Sequence, residues 1–441
     1  MTPGHGVDVV VVGAGVSGLV AARDLRRAGF DVVVLESADR CGGRTLTRTS
    51  VLGSRLDLGG QWIGHDHHRL AALCDELGAT RYRMQSPRIP VVLNGPDRVR
   101  PWSPTVLLAL ALFVVLEGVR RARRPQRWAA VSIDDWLSRV PGRARRLLEV
   151  AGHIAWTTDL RRVSVTAMVH MIRTQHGVVD MLTSRGGAQD GLIVEGTGHL
   201  VDHLVAELGA AVRTGTAVTA IVRDPAGVTV RTTSGEFRAQ AVVVAVPPPT
   251  AARIAHEPPL PEPRGRLEQG TAMGAVYKAI AIYPTPFWRT TAAAETVHLD
   301  RPGCGVFDTS APDGPGHLCF LVGGPDARRL DELAPAERRR LLLGRLAERL
   351  GSGVLDPVEW HEKAWHLDPD AGGGYVALPM LGAGVDVLPM PAEPLGRVHW
   401  AGTETARDHP GYIDGAIESG ERAAAEVVAV LARPAGATDP A

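Results

Sequence analysis

Runs of consecutive apolar residues, many of them β-branched, stand out first along this chain. Residues 9–12, 32–35 and 242–246 are such runs, and each suits a strand buried on both faces of a parallel sheet. Between the first two, the pattern predicts a helix over 17–28 that stops at Gly29. Strand, turn, helix and strand then close on Glu36. From 217 the pattern is again that of strands, broken by Asp-Pro, by Ser-Gly and finally by the prolines at 247–249. Near the end come a strand at about 398, a small-residue turn, a loop and a helix from about Gly415. Two stretches interrupt this plan. Residues 79–195 are helix-rich, with many arginines. Residues 265–385 contain an apolar strand at 276–283 and an Arg/Glu/Leu-rich helix pair at 330–350 that reads as a solvated outer face. The patterns predict an α/β chain, α+β overall. A Rossmann-like dinucleotide-binding domain is expected from 1–78, 196–264 and 386–434, with an inserted substrate-binding domain from 79–195 and 265–385. Residues 435–441 are expected to be a disordered tail.

The turn after the first strand carries Gly13, Gly15 and Gly18 at the spacing G-x-G-x-x-G. The first glycine allows a tight turn, the second lets a pyrophosphate approach the backbone, and the third lets helix and strand pack closely. Glu36, at the end of the second strand, can accept hydrogen bonds from a ribose diol. Two further glycine pairs follow: Gly42-Gly43 before Arg44, and Gly59-Gly60 before Gln61 and Trp62. Each lets backbone approach a ligand, and Arg44 can neutralise phosphate. Gly402 and Gly411 do the same near the last helix, whose N-terminus can point at an electron-rich atom.

Other features narrow the class. The uncharged run 105–116 is too short to cross a bilayer, which takes ~20 apolar residues. It is expected as a buried or partly buried helix of the substrate domain. An interfacial helix is the alternative, because Arg120, Arg121, Arg123 and Arg124 follow it directly. The histidines of 65–68 point in different directions at a helix start, and no Cys or Glu completes a ligand set, so no metal is expected. A formal charge of zero gives no support to nucleic-acid binding. Cys41, Cys74, Cys304 and Cys319 are too sparse for a disulfide scaffold, and the first strand begins within ten residues, leaving no room for a signal peptide. A reducing, cytoplasmic setting is the expectation.

Lys278 is the one charged residue between Met273 and Arg289, and it shares a strand face with Val276, Ile280 and Ile282. A lysine in that position is costly unless hydrogen-bonded or functional. The other reading is a strand-end lysine that reaches solvent.

Taken together, GAGVSG with Glu36, GGRT, LDLGGQWIG, VYKAIAIYPTPFW, AWHLDPDAGGGY and WAGTETARDHPGYIDGAIESGERAA resemble the flavin-dependent amine oxidases, the monoamine oxidase group, over nearly the full length. The resemblance implies the amine oxidase fold and FAD as cofactor. Gly13, Gly15, Ser17, Gly18, Glu36, Arg44, Gly59, Gly60, Gln61 and Trp62 fall where the family binds FAD. Val218 falls where a strand backbone meets the adenine, and Trp365, Gly402, Thr403, Glu404 and Ile413 near the isoalloxazine. Lys278 matches the lysine that holds a water against flavin N5. Tyr375 and Tyr412 match the paired aromatic residues in front of the flavin, Gln189 an amide lining the same cavity, and Ile154 a position at its entrance. Gly374 stands where the mitochondrial enzymes carry the cysteine bonded to the flavin, which implies non-covalent FAD. Ala38 replaces an arginine near the adenosine, and the mitochondrial membrane helix has no counterpart.

The implied chemistry is loss of a hydride equivalent from the α-carbon of a neutral amine to flavin N5, with O2 as the second substrate. Lys278, Tyr375 and Tyr412 are the expected catalytic residues. A primary monoamine such as a phenylethylamine is favoured, since the stretch Gly305-Val306-Phe307 and Asp308 holds no clear diamine anchor. The rivals are a putrescine oxidase, an L-amino-acid oxidase using an arginine such as Arg88, and an FAD-binding scaffold without turnover. A homodimer is compatible with the sequence.

Overall fold

In the computed structural model, the structure describes residues 5–85, 90–95, 97–119, 128–290, 294–383 and 390–432. Arg88, the basic cluster at 120–124 and the expected tail lie outside them. The chain divides into two compact units, one of 1–43, 200–270 and 388–441, the other of 44–199 and 271–387.

The first unit is built on an eight-stranded sheet. Its parallel centre is His5–Val12, flanked by Val32–Leu35 and Gly235–Val244, with Val398–Trp400 parallel to the latter. Val10, Val12, Val33, Leu35, Val242 and Val244 form its core, as uninterrupted apolar runs in a covered parallel sheet should. The run 242–246 is strand only as far as Val244, because Ala245 leads into the Pro247 turn. The antiparallel strands Gly227–Thr232 and Val218–Asp224 and the edge strand Ala255–Glu257 extend the sheet. Helix Val16–Arg27 packs against the last helix, Ile413–Leu431.

The second unit carries a seven-stranded sheet in the order Glu359–Ala364, Val276–Tyr283, Gly316–Gly323, Cys304–Asp308, Thr296–His298, Val91–Asn94, Asp97–Arg98. Every position of Val276–Tyr283 is buried, so its two faces belong to two cores. Tyr277, Ala279, Ala281 and Tyr283 meet Leu342, Leu343 and Leu346 of helix Pro335–Leu350, which explains the leucine spacing of that otherwise charged helix. Val276, Ile280 and Ile282 meet Leu56, Leu58, Cys319, Leu321 and Trp365. That second core explains a boundary difference. Residues 44–78 carry nucleotide-binding motifs, yet Leu56 and Leu58 pack under the sheet of the second unit.

Helix Pro104–Val119 buries Ala109 and Leu116 and exposes Leu107, Leu110, Val114 and Val115. Among the described residues, no helix is long and apolar enough to cross a membrane.

Candidate active site

In the first unit, the turn after His5–Val12 is shaped by close packing at one glycine and open space at another. A Cβ on Gly18 would lie 2.0 Å from the Gly13 carbonyl oxygen, so the helix can sit against its own turn only without one. A Cβ on Gly15 would meet nothing within 4 Å. Gly15 is also the N-cap of the twelve-residue helix Val16–Arg27, where unpaired N–H groups and the helix dipole favour an anion. The Glu36 carboxylate is fixed beside this turn: one oxygen accepts from the Ala14 N–H at 2.7 Å and the other from the Ala38 N–H at 3.0 Å. The second glycine pair is tied alongside, with Gly42 N–H on the Ala14 carbonyl and the Arg40 guanidinium on the Gly43 carbonyl. An open cradle at a helix N-terminus, next to an immobilised buried carboxylate, fits the pyrophosphate and ribose of a dinucleotide.

In the second unit, Lys278 is 2% exposed. It lies within the strand, not at a solvent-facing end. Its Nζ donates to the Gly59 carbonyl at 2.8 Å and to Gln61 Oε1 at 2.5 Å. An ammonium has three N–H donors; among the described residues the third finds no acceptor. Burial pushes the lysine's pKa down. The loop that receives it is tied down at several points. Both oxygens of buried Asp57 accept from the Thr197 N–H at 3.1 Å, and Asp57 Oδ1 also accepts from the Thr197 and Thr47 hydroxyls. Burial raises the Asp57 pKa against these bonds and against the charge of Lys278. Trp365 Nε1 holds the Leu58 carbonyl at 2.7 Å, and Gly60 N–H holds the Arg44 carbonyl.

Beside the lysine's core, Tyr375, Trp62, Phe307, Ile154 and Leu46 form a partly buried apolar wall. Trp62 and Phe307 meet edge to face at 5.3 Å between ring centres. The Gly374–Tyr375 peptide is cis. The Thr157 hydroxyl donates to the Gly374 carbonyl and accepts from the Tyr375 N–H, while Arg44 donates to the Tyr375 carbonyl at 2.7 Å. Arg44 thus holds backbone here, a role the phosphate reading of its motif did not include. Half-buried Gln189 donates from Nε2 to the Met181 carbonyl at 3.0 Å. Asp308 is fully engaged: Arg289 grips both its oxygens at 2.7 and 3.0 Å, and Trp288 and Ser310 also donate to it.

The C-terminal turn belongs to the first unit. Gly402 N–H donates to Ser17 Oγ at 2.9 Å and to Ser419 Oγ at 3.1 Å, so the Ser17 side chain joins two helices and the turn. Thr403 Oγ1 donates to the Tyr412 carbonyl and accepts from the Gly411 N–H. Glu404 is buried, and Tyr412 is the N-cap of Ile413–Leu431. Val218 opens a strand separated from His5–Val12 by Gly227–Thr232 and Gly235–Val244.

The second unit therefore gathers Arg44, Gly59, Gly60, Gln61, Trp62, Lys278, Trp365, Tyr375 and Ile154. The first holds Gly13, Gly15, Ser17, Gly18, Glu36, Val218, Gly402, Thr403, Glu404, Tyr412 and Ile413. Sequence reasoning missed Thr157 and Thr197. A threonine after a helix carries no signal of its own; the acid of LDLGG was the available clue to a partner such as Thr197.

The chain belongs to the flavin-containing amine oxidoreductases, whose family model matches residues 16–428. It is 36% identical to a Mycobacterium tuberculosis protein provisionally named flavin-containing monoamine oxidase AofH, over 96% of this chain and 97% of that one. It is 30% identical to an L-amino acid dehydrogenase from Synechocystis, over 98% and 97%. The structure is similar to cyclohexylamine oxidase from Brevibacterium oxydans, with a TM-score of 0.91 and 28% identity, over 97% of this chain and 100% of that one. The protein is a flavin-containing amine oxidase and its cofactor is FAD. Position 374 is a glycine, so no side chain there can bond to the FAD.

Proposed function

We propose that the protein deaminates a primary monoamine oxidatively, with arylalkylamines such as phenylethylamine as the substrate class. FAD, when bound, accepts a hydride equivalent from the amine's α-carbon and passes two electrons to O2. The imine hydrolyses to aldehyde and ammonia, and O2 leaves as H2O2. The carrying observation is Lys278: a buried lysine in an apolar strand, held by two neutral acceptors, with one N–H left over among the described residues. That N–H can hold a water, and the ammonium can stabilise negative charge arising nearby. Gly15, Glu36 and the Gly59-Gly60 loop hold the cofactor. Tyr375, its backbone clamped by Thr157 and Arg44, and Tyr412, capping the last helix, orient the neutral amine, with Gln189 and Ile154 lining its path.

The engagement of Asp308 by Arg289, Trp288 and Ser310 supports a monoamine over a diamine, because it removes the acid closest in sequence to the wall as an anchor. A second ammonium left unpaired against that wall costs at least ~1.4 kcal/mol, about tenfold in kcat/KM. Peroxide and ammonia release by the holoenzyme should therefore favour phenylethylamine over putrescine by about that factor, and phenylethylamine should also outpace L-phenylalanine. Faster turnover of putrescine or L-phenylalanine would overturn the substrate class, and no bleaching of the flavin by any amine would overturn the activity.

A further inference from the structure

We propose that Gln61 is a positioning residue for Lys278. Its neutral amide oxygen fixes the ammonium without a counter-charge, leaving the lysine's field and third N–H for the cofactor. This rests on the reading of Lys278 given above. Gln61 and Lys278 are both nearly fully buried, and Gln61 Oε1 lies 2.5 Å from Nζ. The amide is itself oriented: its Nε2 points to Cys319 Sγ at 3.9 Å, and its loop is pinned through Gly60 and Ile63. Among the described residues, the ionisable groups packed around the lysine leave it without a contacting anion. Asp57 acts on it through space, but its oxygens are taken by Thr47 and Thr197. Cys319, on the neighbouring strand, has its thiol pKa raised by burial. Lys363, the cross-strand partner of Lys278, is bound to its own carboxylate, Asp368, at 2.7 Å.

The amide matters because glutamate is nearly its isostere. Glutamate at 61 would keep the acceptor and neutralise the lysine. Methionine would keep much of the volume and remove the acceptor. Lys278 and Lys363 are the chain's two lysines, so [ε-13C]lysine gives two resonances, with Lys363 as internal reference.

The test compares wild type, Gln61→Glu, Gln61→Met, Lys278→Met and the double variant Gln61→Glu/Lys278→Met as holoenzymes. The readouts are anaerobic reduction by amine, reoxidation by O2, the midpoint potential of the flavin, and the titration of the Lys278 resonance. Gln61→Glu should raise the Lys278 titration midpoint by about one pH unit or more. It should also lower the flavin potential and slow reoxidation about tenfold, with less effect on reduction. Gln61→Met should slow reoxidation without lowering the potential as far. The double variant should reoxidise no more slowly than Lys278→Met alone, the mark of one shared pathway. Unchanged reoxidation and potential in both Gln61 variants, beside a slow Lys278→Met, would overturn this proposal alone, as would additive losses in the double variant. Normal reoxidation in Lys278→Met would instead overturn the role of the lysine. Should Gln61→Glu fail to load FAD, Gln61→Met and the lysine titration carry the decision.

Discussion

Asp308 adjoins Phe307 of the aromatic wall in sequence but not in space. On the strand Cys304–Asp308, side chains alternate between faces. Cys304 and Val306 belong to one core and Phe307 to the other, so Asp308 turns away from the wall toward Trp288 and Arg289. Asp308→Asn should therefore act on stability. Breaking a buried, multiply bonded ion pair costs about 3 kcal/mol, read as a lower urea midpoint, while the ratio of phenylethylamine to putrescine turnover stays as in wild type. A changed ratio at unchanged stability would return Asp308 to the substrate site. The residue scale is also where sequence was least informative. Nothing around Asp308 announces Arg289, because the pair forms between two separate turns of chain. Lys278 was legible as an anomaly, one charge in an apolar strand. Its acceptors were not, since they lie more than two hundred residues away.

The elements were legible where local pattern and tertiary environment agree. The runs at 9–12 and 32–35 have a single stable placement, inside a covered parallel sheet, and they occupy it. Residues 44–78 group with the second unit by compactness, because a ligand-binding motif does not say which core its leucines fill. The first turn yields a test that separates packing from ligand binding. Gly18→Ala forces a methyl against the Gly13 carbonyl and should prevent cooperative folding. Gly15→Ala enters open space and should keep a cooperative thermal transition, yet require about tenfold more FAD to raise its midpoint equally. Equal behaviour of the two variants would refute this division of labour.

At the scale of the whole molecule, buried histidines set the acid limit. His256, His298 and His317 each have a pKa lowered to about 4, in every case chiefly by burial. Their unfolded value is about 6.5. The unfolded chain therefore binds more protons than the native one below that pH. The stability they confer is complete above pH about 6.5 and drains away as pH falls toward about 4, each contributing a slope of up to ~1.4 kcal/mol per pH unit. Urea midpoints should fall steeply across that window, and His298→Gln should make the fall shallower. A flat profile would show that these rings protonate without unfolding.

The sheet of the first unit has one more implication, and it concerns time. His5–Val12 is flanked by Gly235–Val244, which in turn is flanked by Val398–Trp400. At the usual ~5–20 residues per second of translation, the last of these leaves the ribosome roughly 20–80 s after the first. Throughout that interval the glycine turn exists on a strand whose sheet is unfinished. The second unit is no further ahead, because 44–199 waits for 271–387. Neither sheet can close until most of the chain has been made, so the cradle for FAD should form late in synthesis or after it. Until Val398–Trp400 arrives, the edge of Gly235–Val244 that it covers should stay open to pairing with other chains.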